Sequence, residues 1–311
     1  MRKGKTVYAI LLFLALALVF PTGAWAHETF IKMAPFGEAG QAVTVELIRG
    51  HFPATPEAGS YFTEMMERQD LEWRFYLLHP DGRTEDLPLT PYGDGYVSSF
   101  VPVTGGDYQV VFYRDRGIRD YQHGEPAGYQ QMYDTVKAYI HVHGEEDYEA
   151  FDRVAGLDLE IKAVSDTGHL QAGDTFEGQL LYQGTPLAGA SVTLVGEDET
   201  TAVAETDQEG RFRFTLPGQG AYMLKVVHFE DAPGTAGEVD YIGVRHTHVA
   251  MIATLTEQDE SSAVPAAVPA EPQPVSPISS AGGSGQVVIY LAAGVLLLGA
   301  GYLFGKSKKS A

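Results

Sequence analysis

Two histidine pairs share one spacing: His141-Val142-His143 and His246-Thr247-His248. In an extended strand, residues i and i+2 project from the same face about 6.5 Å apart, at ~3.3 Å of rise per residue. Two imidazoles so placed can converge on one metal ion at nitrogen distances of about 2.0–2.1 Å. A solvated strand that carries H-x-H by chance is the competing reading, and spacing alone does not separate the two. Neutral imidazole is a common ligand for zinc, copper, nickel and cobalt. The chain has ten histidines and no cysteine, which removes disulfides, thiol nucleophiles and thiolate metal sites from consideration.

His27 differs in kind. It follows basic Arg2, Lys3 and Lys5, the apolar run VYAILLFLALALVF and the small-residue pattern Ala24-Trp25-Ala26. That order is a secretory signal peptide, residues 1–26, whose removal leaves His27 as the N-terminus; an uncleaved membrane anchor is the alternative. A terminal histidine offers its α-amine and its ring Nδ1 as one chelate, and an amine with a pKa near 7.7 can release its proton to a metal at neutral pH. Such donors suit nickel, cobalt, copper or zinc better than calcium or magnesium.

His51, in IRGHFP, closes the strand that begins at Val43 and stands where strands commonly display functional side chains. The predicted metal site is therefore His27 with its amine, His51, and one of His141 and His143, with His246 and His248 as a separate or bridging site. Capture should weaken below about pH 6.5, where protons compete for imidazole. His79 in the turn HPDGR, His169 and His228 read as structural. His123 falls in a tyrosine-bearing stretch between Arg116 and Asp134, read as irregular, either a lid or a long connection. Glu28, Glu145 and Asp147 are candidate carboxylate ligands. The phosphate-cradling glycine loop, the G-x-S-x-G elbow and the H-E-x-x-H helix are all missing from the sequence, so the chain is not expected to be an enzyme.

The elements that must position these residues are strands. Between 27 and 255, Gly, Pro and Asp punctuate short aromatic and β-branched segments such as VTVELIR (43–49), LEWRFYLL (71–78), YVSSFVPV (96–103), DYQVVFY (107–113) and VKAYIHVH (136–143). The period-2 pattern predicts an all-β chain of two β-sandwich domains, Ig-like or transthyretin-like. We place them at 27–150, carrying the metal site, and 151–256, with one short helix around AGSYFTEMMERQ. Asp207 to Gly210 should form a tight turn, with Phe212 and Phe214 facing one core.

Residues 257–286 are rich in Pro, Ala, Ser and Gly and read as a tether. The 18 uncharged residues from Val287 to Phe304 are long enough for a membrane span, placed at 287–305, across a hydrocarbon core of roughly 30 Å. Lys306, Lys308 and Lys309 form a basic tail, 306–311, that should stay in the cytoplasm. The body is thus expected outside the cytoplasmic membrane, periplasmic or at the cell surface. Six of the 21 Lys and Arg residues lie in the signal peptide and tail, leaving 15 against 41 acids, a formal −26. Such a body repels nucleic acid, and its charge serves either cation recruitment or plain solubility.

Two resemblances add to this. The segment GTPLAGASVTLVGEDETTAVAETDQEGRFRFTLPGQGAYMLKVV, through Gly184, Pro186, Leu187, Gly189, Ala190, Thr206, Asp207, Gly210, Phe212, Gly220 and Tyr222, resembles the carboxypeptidase-regulatory-like, transthyretin-like sandwich. AHETFIK, RGHFP, VKAYIHV, AGDTFEGQLLYQGTPLAGASV and TDQEGRF together resemble an exported two-domain family of unknown function often described as the periplasmic component of cobalt and nickel uptake systems. That resemblance implies a nickel or cobalt ligand at His27 and a transporter permease as partner. A structural or adhesive surface protein that binds a protein or glycan, and a copper oxygenase with a histidine brace, are the alternatives.

Overall fold

In a computed structural model, residues 27–53, 62, 66–68, 71–122, 124–145 and 147–255 are described here. The expected signal peptide, tether, membrane span and tail, and His123, lie outside them. Among the described residues no helix is long and apolar enough to cross a membrane. The expected short helix also falls mostly outside, although Phe62 and Met66, four residues apart, are both buried against the first core.

The strands in chain order are β1 (Glu28–Met33), β2 (Phe36–Glu38), β3 (Val43–Gly50), β4 (Trp73–Leu78), β5 (Thr84–Asp86), β6 (Thr90–Tyr92), β7 (Gly95–Phe100), β8 (Gly105–Tyr121), β9 (Gly128–His143), β10 (Asp147–Tyr148), β11 (Leu159–Ala163), β12 (Thr175–Tyr182), β13 (Thr185–Pro186), β14 (Ser191–Gly196), β15 (Thr201–Glu205), β16 (Arg211–Thr215), β17 (Gly220–Glu230), β18 (Gly234–Ala236), β19 (Val239–Tyr241) and β20 (Val244–Thr254). The chain is all-β, and its sheets face one another as in β-sandwiches.

One ten-stranded sheet carries the order β15-β14-β17-β20-β9-β8-β4-β5, with β10 and β2 attached beside it. On either side of residue 150, therefore, the strands belong to one hydrogen-bonded sheet. The join is the parallel pairing of β20 with β9, from Val244 opposite Gln131 to Met251 opposite Ala138. A four-stranded sheet, β1-β3-β7-β6, and a second one built on β11, β12, β13 and β16 complete the main layers.

Alternation explains how one sheet serves two cores. Val136, Ala138, Ile140 and Val142 of β9 pack with Phe30, Val45, Leu47, Phe75, Phe112, Val249 and Met251 in the first core. Tyr139, from the opposite face, joins Leu159, Ile161, Phe176, Phe212, Tyr222, Ala250 and Ile252 in the second. Because successive side chains on a strand point to opposite faces, β9 and β20 are buried on both. Burial of each large apolar side chain contributes about 1.5–3 kcal/mol.

The second core shows the local logic most cleanly. β16 alternates exposed Arg211, Arg213 and Thr215 with buried Phe212 and Phe214, and both phenylalanines enter the second core. The turn before it is tight. Asp207 accepts the Gly210 amide on its carbonyl at 3.0 Å and those of Glu209 and Arg211 on its carboxylate at 3.0 and 2.7 Å. Gly210 has φ +72°, and a Cβ there would lie 2.6 Å from the Leu180 carbonyl oxygen.

The stretch read from sequence as irregular, Arg116 to Asp134, is instead mostly strand. β8 runs on to Tyr121 and pairs with β9 from Gly128, with a bulge between Asp115 and Gly117. Its alternation of Arg, Asp, Tyr and Gln lacks the apolar period that marks a half-buried strand, because both its faces carry polar side chains.

Candidate functional site

His27 precedes β1, and His51 follows β3. The β1–β3 register sets Glu28 opposite Gly50, which carries the two flanking histidines together. Their ring centroids are 4.5 Å apart and tilted by 43°. His27 also lines a cavity of about 100 Å³ with Glu28, Arg49, Arg116, Tyr121, Asp134, Lys225 and Arg245, among others.

That cavity is rich in positive charge. Glu28, the carboxylate nearest in sequence to His27, is bound by Lys225. Asp134 is bound by Arg114 at 2.5 Å and by Arg116 at 3.4 Å. Burial would raise the Asp134 pKa, but Arg116, Arg114 and Arg49 overrule it and hold the carboxyl below its ordinary value. The Arg114 guanidinium, by contrast, is lowered, chiefly by burial.

The His141–His143 pair meets at 5.2 Å between ring centroids, as same-face strand neighbours should. A third imidazole joins it: His169 lies 5.2 Å from His141. Each of the three histidines has its own support. The His141 Nδ1 lies 2.8 Å from Asp107, whose other oxygen accepts the Ala150 and Phe151 amides at 2.8 and 3.0 Å. The His169 Nδ1 lies 2.7 Å from Asp166, and His143 stacks on Phe36 with centroids 5.9 Å apart. The loop fits closely, for a Cβ on Gly168 would come within 2.8 Å of the His141 ring. The His169 side chain is largely exposed. Nothing in its local sequence, DTGHL, signals this neighbour.

His246 and His248 occupy the same face of β20 but different surroundings. His246 stacks on Tyr133 at 5.2 Å and meets Tyr182 at 5.4 Å, and it pairs in register with His228, whose ring is 4.4 Å from Tyr182. The Tyr182 hydroxyl donates to Glu230 at 2.5 Å. His248 is fully buried. Its Nδ1 lies 2.9 Å from the Thr135 hydroxyl, and its Nε2 has no hydrogen-bond partner. Burial, and secondarily Lys137, holds the His248 pKa well below 6.5, so the ring is neutral. His246 and His228 are also lowered, mainly by burial.

The predicted ligands therefore fall into three places. His27 meets His51, His141 meets His143, and His246 and His248 stand separately along β20. The expected joint site of His27, His51 and one of His141 and His143 does not assemble. His27 lines its cavity with Met132, Asp134 and Thr135 of β9. His141 lies about 20 Å farther along that strand at ~3.3 Å per residue. Of the remaining candidates, His79 is held in its turn between Arg83 at 3.0 Å and Glu85 at 3.1 Å, and Glu145 is exposed. Among the described residues, no group of three or more His, Asp or Glu side chains is arranged to hold a metal ion. Sequence reading missed the cavity cations, because Arg49, Arg116, Lys225 and Arg245 are distant in the chain and meet only through sheet pairing.

Comparison with known proteins adds a family. No curated protein matches the chain. Among solved structures it is similar to trypsin-activated alpha-2-macroglobulin from Escherichia coli, at 11% identity over 76% of this chain and 16% of that one, with a TM-score of 0.22. It is also similar to a two-domain fibronectin type-III segment of chicken tenascin, at 11% identity over 74% of this chain and 100% of that one, TM-score 0.21. A third likeness is to a DUF4785 family protein from Legionella pneumophila, at 10% identity over 63% of this chain and 50% of that one, TM-score 0.22. The chain spans 16% of the length of the macroglobulin it matches. The profile of one family matches residues 24–230, and the chain belongs to that family, described as Domain of unknown function (DUF4198).

Proposed function

We propose that this protein captures a divalent transition metal, nickel or cobalt in preference to copper or zinc, outside the cytoplasmic membrane, and passes it to a membrane transporter. The observation that carries the reading is the approach of the His27 and His51 rings to 4.5 Å. Two imidazoles at that separation supply two neutral nitrogen donors of the right softness. The α-amine of His27, freed by cleavage after Ala26, supplies a third from the same residue. A bound metal would act as cargo, and the chain's task is to hold it reversibly. The acidic body concentrates cations near the site, while the tether and C-terminal span keep the body close to the membrane. The second half, in this reading, is a transthyretin-like module that braces the first.

The immediate surroundings of His27 oppose a bare dication, since Arg49, Arg116, Lys225 and Arg245 line the same cavity. The metal must therefore arrive with charge compensation or bind through donors strong enough to override the repulsion. A second location has its own support: His141, His143 and His169 cluster beside Asp107 and Asp166. Carboxylates that fix Nδ1 leave Nε2 as the donor, the usual outer arrangement around imidazole ligands. Calorimetric titration of nickel, cobalt, copper and zinc into the processed chain tests the reading. Tight one-to-one binding lost in His27→Ala supports it; no binding of any of the four metals ends it.

A further inference from the structure

Among the described residues that line the cavity beneath His27 are four cations, Arg49, Arg116, Lys225 and Arg245, and two carboxylates, Glu28 and Asp134. Both carboxylates are already engaged, Glu28 by Lys225 and Asp134 by Arg116 together with Arg114. Arg245 is the sharpest case. It is only 8% exposed, and its partners among the described residues are all neutral. Its Nε donates to the Gln130 side-chain oxygen at 2.6 Å and its Nη2 to the Glu125 carbonyl at 3.4 Å. Its guanidinium lies 4.0 Å from the Tyr121 ring centroid and 5.7 Å from that of Phe229.

A buried guanidinium without a carboxylate is costly unless something else neutralises it. In a chain of net charge −20, no carboxylate of the described residues is among the partners of Arg245. We propose that the cavity is a site for a small oxyanion, a carboxylate or phosphate of a few heavy atoms. Guanidinium presents a planar fork of donors that matches two oxygens of such a group. The volume, about 100 Å³, accommodates an anion of that size and excludes a nucleotide or a sugar chain. Because His27 lines the same cavity, the anion also supplies the charge compensation that a metal on His27 and His51 needs; this second step rests on the metal reading, and the anion site itself does not.

The test uses the full chain stripped of metal by chelator, titrated at constant ionic strength with malonate and separately with inorganic phosphate, and followed by calorimetry and thermal unfolding. The site predicts saturable one-to-one binding of at least one anion and a matching rise in unfolding temperature. Malonate binding alone identifies a carboxylate site; binding of both identifies a general oxyanion site. Arg245→Gln should weaken the binding at least tenfold, and Arg116→Gln, at a more exposed position and safer for folding, at least threefold. Arg213→Gln on the exposed face of β16 should leave it unchanged. Absence of saturation by either anion below about 10 mM, where affinity would be weaker than roughly 3 kcal/mol, overturns the proposal, and so does binding indifferent to both Arg245→Gln and Arg116→Gln. A nickel titration of the same protein separates the two readings. Anion binding without metal binding removes the metal reading and leaves this one standing, and the reverse result removes only the anion site.

Discussion

The two faces of β9 handle buried charge in different ways. On the odd face, Thr135 meets His248 at 2.9 Å, Lys137 meets Glu160 at 2.7 Å, the Tyr139 hydroxyl donates to the Ile161 carbonyl at 3.2 Å, and His141 meets Asp107 at 2.8 Å. Each polar side chain has a partner of its own. On the even face, Val136, Ala138, Ile140 and Val142 are apolar core, and the single acid, Asp134, is shared among arginines beside a cavity lined by four cations. Matched polar groups are what a stable interior requires, whereas a surplus of one sign is what a binding site needs. The difference directs the anion proposal to the open end of the even face.

The comparison breaks most visibly at Lys137 and Glu160. Both are buried, and Glu160 also accepts the amides of Ala155, Gly156 and Leu157. Glu160→Gln should lower unfolding stability by about 3–5 kcal/mol, the usual penalty for stranding one member of a buried ion pair. Urea denaturation measures it, and a loss under 1 kcal/mol would mean the pair is not matched as described.

Next in size is the proposed metal site. Loss of outer-shell partners around a metal weakens affinity roughly 10–100-fold, so loss of a ligand itself, His27→Ala, should cost at least about 100-fold. His246→Ala should change metal affinity less than threefold. Equal losses in the two variants would erase the distinction between the faces.

Asp107→Asn comes third. Its carboxylate serves His141 and two backbone amides, and removing its charge should cost about 1.5–3 kcal/mol of stability with the His27 site intact.

The acid response gives a smaller and more graded contrast. His248 is depressed in the folded state, so below its ordinary value of 6.5 the unfolded chain takes up a proton that the folded chain refuses. Stability from this group is complete above pH 6.5 and declines as pH falls, by up to about 1.4 kcal/mol per unit. Asp134 is also depressed, but as an acid its contribution is lost only below its ordinary value near 3.8. Unfolding between pH 7 and 5 should therefore report the depressed histidines His248, His246, His228 and His79 together, and His248→Asn should reduce that slope. An unchanged slope would place the titrating group elsewhere. The smallest effect expected is from His169→Ala, within about 0.5 kcal/mol because its side chain is largely exposed.

Much of the fold is legible in the sequence, and the reasons it stops are specific. Strands with strict alternation, such as β3 with buried Val43, Val45 and Leu47 or β16 with its two phenylalanines, carry their own period. The Arg116–Asp134 stretch does not, so its strands pass for loop. The pairing of β9 with β20 joins residues more than a hundred positions apart and leaves no local trace, although it decides that one continuous sheet serves both cores. For the candidate site, H-x-H spacing correctly puts His141 beside His143. Proximity of His27 to His51 follows only from the β1–β3 register, and the grouping of Arg49, Arg116, Lys225 and Arg245 only from the assembled sheets.

The central claim is that a free amine and two imidazoles at the start of the folded body grip the metal. The most direct measurement compares nickel affinity of the chain beginning at His27 with that of a chain carrying Gly-Ser ahead of it, in which the His27 nitrogen is an amide. The account predicts a loss of at least about 100-fold on extension, close to 2.7 kcal/mol, with unfolding temperature unchanged. Equal affinity in the two chains would contradict it.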